Sequence, residues 1–240
     1  MNEDSRKLLL ADDLVEDGLR REDFTEARLA ELTREAQRLG GFPMMPAAER
    51  EANRMRVLER LTPGDSLWVF GYGSLMWNPA CHIDEQRIGR VHGWRRSFCL
   101  WTPLGRGTPE RPGLMLALDS GGSCNGLAFR IPPEMIESES QVVWRREMLS
   151  GAYRPIWVCV HTPDGPIDAV TFVINRRHPR YGAEIAHGDA VEALATAEGR
   201  LGRSRDYLGN LVRQLRHLGV RDRAMERLHH DVHHLAGGTA

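Results

Sequence analysis

Residues 67–74 read Leu-Trp-Val-Phe-Gly-Tyr-Gly-Ser, a short apolar run of strand type that ends abruptly in a glycine-tyrosine-glycine turn. Such a run belongs in a core, and the two glycines let the chain leave it sharply. It also marks a change of period. Upstream, Leu29, Leu32, Ala36 and Leu39 recur at helical spacing before Gly40-Gly41, which reads as a stop. A second helix is predicted from about 47 to 61, with Pro46 at its start and Pro63-Gly64-Asp65 at its end. Downstream, strands are predicted at 88–101, 114–118 and 126–131, the last two joined as a hairpin through Asp119-Ser120-Gly121-Gly122. Pro132-Pro133 open a helix over 134–149, and a second hairpin joins 155–161 to 167–174. Helices at 189–200, 204–218 and 222–235 complete the chain. Strands bracketing one helix, then a run of helices, predict an α+β fold with a small, mixed, largely antiparallel sheet curled toward a barrel. The division expected is an N-terminal helical extension, 1–62, and a main domain, 63–240. The extension carries no cluster of chemistry-bearing residues and is expected to pack on the main domain or on a partner subunit.

The loop after the first strand admits two readings. Its backbone N–H groups could form a nest for a carboxylate or an oxyanion, or the glycines could serve only a tight turn. Sharper motifs fail on spacing. A dinucleotide fingerprint needs a glycine where Met76 stands, and the nucleophile elbow needs glycines at Tyr72 and Met76. In Arg145-Arg146-Glu147-Met148 a carboxylate lies among Trp144, Met148 and Leu149. Desolvation there would raise its pKa toward general-base range, although helical Glu/Arg pairs at a surface are commoner. His229/His233 and His230/His234 are i,i+4 pairs near the C-terminus, where a solvated helix end is the favoured reading over a metal clip.

Composition narrows the classes. Thirty-two Lys+Arg against 33 Asp+Glu give a net charge of −1, which argues against a nucleic-acid binder that works by neutralising phosphates. Lys7 is the only lysine, which excludes Schiff-base and Walker-type lysines from the main domain. Cys81, Cys99, Cys124 and Cys159 are too scattered for a zinc site or a disulfide framework. No 18-residue apolar run is present and Met1–Ser5 lacks a signal-peptide pattern, so no membrane partner and a cytoplasmic location are expected.

The run Val69-Phe70-Gly71-Tyr72-Gly73-Ser74-Leu75-Met76-Trp77 resembles the signature of the ChaC-like γ-glutamylcyclotransferases. Co-linear blocks at 106–114, 121–124, 144–148, 178–181 and 204–208 extend the resemblance from about Leu67 to Leu228, while Asn78-Pro79-Ala80-Cys81-His82 departs from the aromatic-rich segment usual there. The resemblance implies a barrel-like sheet with a cavity at the loop. It implies cleavage of glutathione to 5-oxoproline and cysteinylglycine without metal or organic cofactor. The substrate-holding loop falls on Tyr72, Gly73, Ser74 and Leu75, the catalytic glutamate on Glu147, and a substrate-side tyrosine on Tyr207. The chemistry is coherent: the substrate's α-amino group is its own nucleophile, so one base and a set of donors suffice. The resemblance thus reverses the reading of Glu147 as a surface partner. Rival readings are a cyclotransferase for other γ-glutamyl amines or amino acids, and a non-catalytic γ-glutamyl-binding module. Because every block begins after Leu67, residues 1–60 are expected to be dispensable for chemistry.

Overall fold

The computed structural model describes residues 20–38 and 44–237; Leu39, the Gly40-Gly41 stop and the outermost termini lie outside the described residues. Two helices come first, α1 (Glu26–Arg38) and α2 (Ala47–Leu58). The sheet follows: β1 (Leu67–Gly71), β2 (Glu85–Thr102), β3 (Gly113–Ile131), then α3 (Ile136–Glu147), β4 (Tyr153–Thr162) and β5 (Gly165–Ile174). The rest comprises α4 (His187–Thr196), a minimal ribbon β6 (Glu198–Gly199) and β7 (Gly202–Arg203), α5 (Ser204–His217) and α6 (Arg223–Gly237).

The five long strands close into a barrel in the order β1-β3-β2-β4-β5. Most pairs are antiparallel, and parallel contacts at Val69–Val170 and Leu118–Val173 bring β5 against both β1 and β3. The α+β barrel expected from the sequence is therefore the fold. Its interior is apolar: Phe70, Leu118, Leu127, Phe129 and Phe172 are all essentially inaccessible to solvent.

One expectation fails. Residues 114–118 and 126–131 are two halves of a single strand, β3, paired with β2 from Gly113–Thr102 to Arg130–Glu85. Asp119–Gly122 does not reverse the chain. Gly121 (φ 100°) and Gly122 (φ 72°) lie opposite Gly93 (φ 81°), where the register shifts between His92 and Trp94. Glycine tolerates left-handed φ in a hairpin turn and in a bulge alike. Pairing with the long, distant β2 selected the bulge, which bends the ribbon round the barrel.

Helix α3 crosses the barrel with Val143 and Trp144 buried, and Trp144 meets Phe172 edge-on at 5.1 Å. Its outer side is held by α2. Arg54, fully buried, donates to Glu137 and to the Ser140 hydroxyl at 2.8 Å each, and Trp144 Nε1 donates to Asn53 Oδ1 at 2.9 Å. Glu147 is the last residue of this helix, so its position is set by the packing of the whole element.

Candidate active site

The site forms where β1 runs out of the barrel. Tyr72 turns its ring inward and donates its hydroxyl to the Phe172 carbonyl at 2.8 Å, while its own carbonyl accepts Arg96 Nε at 2.7 Å. With one residue anchored on β5 and β2, the following loop has a rigid footing. Ser74–Met76 make one 3₁₀ turn, closed by Met76 N–H to Gly73 O at 2.8 Å and Asn78 N–H to Ser74 O at 2.8 Å. The N–H groups of Ser74 and Leu75, at the start of that turn, lie outside its internal bonding.

Across from the loop sits Glu147. Its side chain is 14 % exposed, all the rest taken by protein. Burial pushes its pKa above the usual carboxylate range, against a partial counter-pull from Arg146, whose Nε lies 3.1 Å from Oε1. Arg146 also donates Nη2 to the Ser74 hydroxyl at 2.8 Å and Nη1 to the Asn78 carbonyl, so one guanidinium ties the base to the loop. Tyr207, in the first turn of α5, hydrogen-bonds the Ser74 side chain, and burial raises its pKa. Its ring packs against Trp77 at 5.6 Å and Phe98 at 6.1 Å.

Tyr72, Gly73, Ser74, Leu75, Glu147 and Tyr207 all line one cavity of about 180 Å³. The fold thus brings together in space the six residues that the sequence nominated from three separate blocks. It adds others. Arg106 is 4 % exposed, stands over the Tyr207 ring at 5.2 Å and donates to the Arg203 carbonyl at 3.0 Å; burial lowers its pKa. Tyr153 donates its hydroxyl to the Leu116 carbonyl at 2.8 Å. Arg106 opens one of the blocks already noted, and Arg146 adjoins Glu147, so both were within reach of sequence reasoning; Tyr153 and Phe24, which also line the cavity, carried no signal.

A second cavity of about 660 Å³ adjoins the first, sharing Met115, Arg146, Glu147, Leu149, Tyr153 and Leu201 with it. Arg38, Arg180 and Arg200 stand on its walls against Glu110, and burial lowers the Arg180 guanidinium to about 10. Among the described residues no group of three His, Cys, Asp or Glu side chains could hold a metal ion. His229 and His233 stack at 4.1 Å on α6, and burial, then His233, lowers His229 to about 4.

The closed mixed barrel thus sets the glycine loop after its first strand and a largely buried glutamate on one cavity. The chain belongs to the ChaC-like protein family, whose pattern matches residues 67–235. It is similar to the glutathione-specific γ-glutamylcyclotransferase of Escherichia coli (strain K12), with 39 % identity over 184 residues, 76 % of this chain and 80 % of that one. It is also 30 % identical over 181 residues to a protein of the same name from Schizosaccharomyces pombe, covering 67 % of this chain and 88 % of the other. The crystal structure of a yeast γ-glutamyl cyclotransferase specific to glutathione shares the fold, with a TM-score of 0.65 at 19 % identity over 70 % of this chain and 96 % of that one.

Proposed function

We propose that this protein cleaves the γ-glutamyl bond of glutathione by internal cyclisation, releasing 5-oxoproline and cysteinylglycine. The observation that carries this reading is Glu147, a carboxylate of raised pKa lining the same cavity as the Ser74–Leu75 loop. The names of the relatives point to the same substrate.

The γ-glutamyl group enters the inner cavity. Arg106, placed over Tyr207 and bonded to the Arg203 carbonyl, brings a buried guanidinium charge to the cavity, which suits the α-carboxylate. Glu147 takes a proton from the α-ammonium, and the freed amine attacks the γ-carbonyl carbon. A new C–N bond closes the five-membered ring, and the carbonyl oxygen, now anionic, is met by the N–H groups of Ser74 and Leu75. The intermediate collapses with rupture of the bond to cysteine nitrogen; Glu147 gives its proton to that leaving amine, then takes the surplus proton from the ring nitrogen and passes it to the product amine, leaving the neutral lactam. Base and acid are the same carboxylate, which suits a pKa that burial raises above the usual carboxylate range. Ser74 and Tyr207 orient the substrate and bond it; neither is required as a nucleophile.

The larger cavity gives the cysteinylglycine half a place, and its arginines suit a carboxylate-ended leaving group. This favours the tripeptide over short γ-glutamyl amines. The reaction calls on no metal or organic cofactor. Among the described residues no helix is long and apolar enough to cross a membrane. The cytoplasm, where reduced glutathione is abundant, is the location that fits the activity.

The test is incubation of purified protein with millimolar glutathione and chromatographic detection of 5-oxoproline. Stoichiometric appearance of 5-oxoproline and cysteinylglycine supports the reading; absence of turnover, with γ-glutamyl-alanine and γ-glutamyl-lysine equally inert, refutes it.

A further inference from the structure

Phe24 precedes the first residue of the family match by more than forty positions, yet it lines the same cavity as Ser74, Glu147 and Tyr207. It is 4 % exposed, and among the described residues it belongs to neither of the two clusters of buried apolar side chains.

The chain on either side of Phe24 is tied to the helix that carries Glu147. Arg21 grips Glu139 of α3 with two bonds, 2.5 and 2.9 Å, and reaches the Ala80 carbonyl at 3.0 Å. Glu139 is 1 % exposed; burial alone would lift its carboxyl, but Arg21 and the His82 N–H hold it below the usual range. Arg145, beside the active-site arginine, donates to Glu26 at 2.9 Å and to the Phe24 carbonyl at 3.4 Å. Farther on, the Met45 N–H donates to the Leu149 carbonyl at 2.9 Å, two residues past Glu147. Between these ties, Leu32 of α1 and Met44 line the outer cavity.

We propose that residues 20–38 and 44–45 form one wall of the active cleft, and that Phe24 is a specificity-determining residue in it. The inference rests on the cyclotransferase reading and deepens it. An aromatic wall beside the reacting carboxylate confines the γ-glutamyl group and keeps water from Glu147. Leu32 and Met44 continue that wall over the leaving dipeptide. The expectation that residues 1–60 are dispensable for chemistry is replaced by this assignment: the barrel supplies the base and the loop, and the N-terminal segment supplies the confinement.

The experiment compares the parent protein with Phe24→Ala, Phe24→Leu and Arg145→Gln. The last breaks a tie from outside the cavity, releasing the exposed Glu26 carboxylate and the Phe24 carbonyl. Each is assayed with glutathione and with γ-glutamyl-p-nitroanilide, which has a flat, bulky leaving group. Phe24→Ala is expected to lose about tenfold or more in kcat/KM for glutathione, to lower the ratio of glutathione to anilide turnover, and to be largely restored by Phe24→Leu. Arg145→Gln should shift the ratio in the same direction by a smaller factor. Calorimetry with glutathione in the Glu147→Gln background should show weaker binding when Phe24 is also Ala, without reliance on turnover. Parent-like kcat/KM, selectivity and affinity in the Phe24 variants overturn the wall alone. If Phe24→Ala fails to fold, parent-like selectivity in both Phe24→Leu and Arg145→Gln does so. A parent protein that neither binds glutathione nor forms 5-oxoproline overturns the function, and this inference with it.

Discussion

The hydroxyl of Tyr207 stands 3.1 Å from the point where a side chain on Gly73 would begin, and Leu116 Cδ2 is equally close to it. Gly73 has an ordinary negative φ of −136°, so the requirement for glycine here is one of space between loop and tyrosine. Gly73→Ala must shift the Tyr207 hydroxyl and the Leu116 side chain, or the loop itself, by a few tenths of an ångström. We expect a stability loss of about 1–3 kcal/mol, as for overpacking in a dense interior, and a fall in kcat/KM for glutathione larger than that loss alone would cause. Urea denaturation and steady-state kinetics on the same sample check both; an alanine variant as active as the parent would show that the loop can move without harm.

Glu147→Gln keeps shape and a hydrogen-bonding oxygen while removing the proton acceptor. The rate should drop about 10²–10⁴-fold, with glutathione affinity changed far less if, as proposed, Arg106 and the loop hold the substrate. Turnover within about tenfold of the parent would assign the proton transfer to another group.

The raised pKa of Glu147 fixes the sign of two pH effects. The base must be unprotonated to start the reaction, so the acid limb of the kcat/KM profile should lie above the ordinary carboxylate range. For stability, the folded state holds the Glu147 proton more tightly than the unfolded chain does. Its contribution is therefore fully present below the unfolded-state pKa and is lost as pH rises through the folded value. Unfolding of parent and Glu147→Gln should accordingly diverge across that window, the parent losing stability relative to the variant as pH rises. Parallel curves would mean that the carboxylate is solvated in the free protein.

Ser74→Ala removes an acceptor for Arg146 Nη2 and a partner for Tyr207. Binding should weaken and appreciable turnover should remain, since the attacking amine belongs to the substrate. Mass spectrometry of a quenched reaction of the parent should show no adduct on Ser74; a covalent γ-glutamyl-serine there would establish a double-displacement mechanism instead.

Much of the site was legible before any coordinates. The β1 strand and its glycine loop are local: a continuous run of four apolar residues, then two glycines that permit a sharp exit. The central helix was legible from Val142, Val143 and Trp144, and Glu147 could be marked as a carboxylate in apolar company. What the chain alone left open was whether that carboxylate faced water or a chamber. A surface ion pair and a buried base share the same Arg146-Glu147 sequence, and α2 packing on the outer side of α3 is part of what separates them.

The amino-acid sequence by itself determined the order and type of nearly all elements and the residues that could carry the chemistry, because periodicity, turn residues and side-chain type act over a few positions. Only the tertiary structure decided three things. It made Gly93, Gly121 and Gly122 a bulge in one long ribbon, because β2 and β3 pair along their whole length. It raised the pKa of Glu147, because desolvation depends on which surfaces close over a group. And it set Phe24 against the cleft, because the ties from Arg21 and Arg145 join residues more than a hundred positions apart, a distance over which no local pattern carries information.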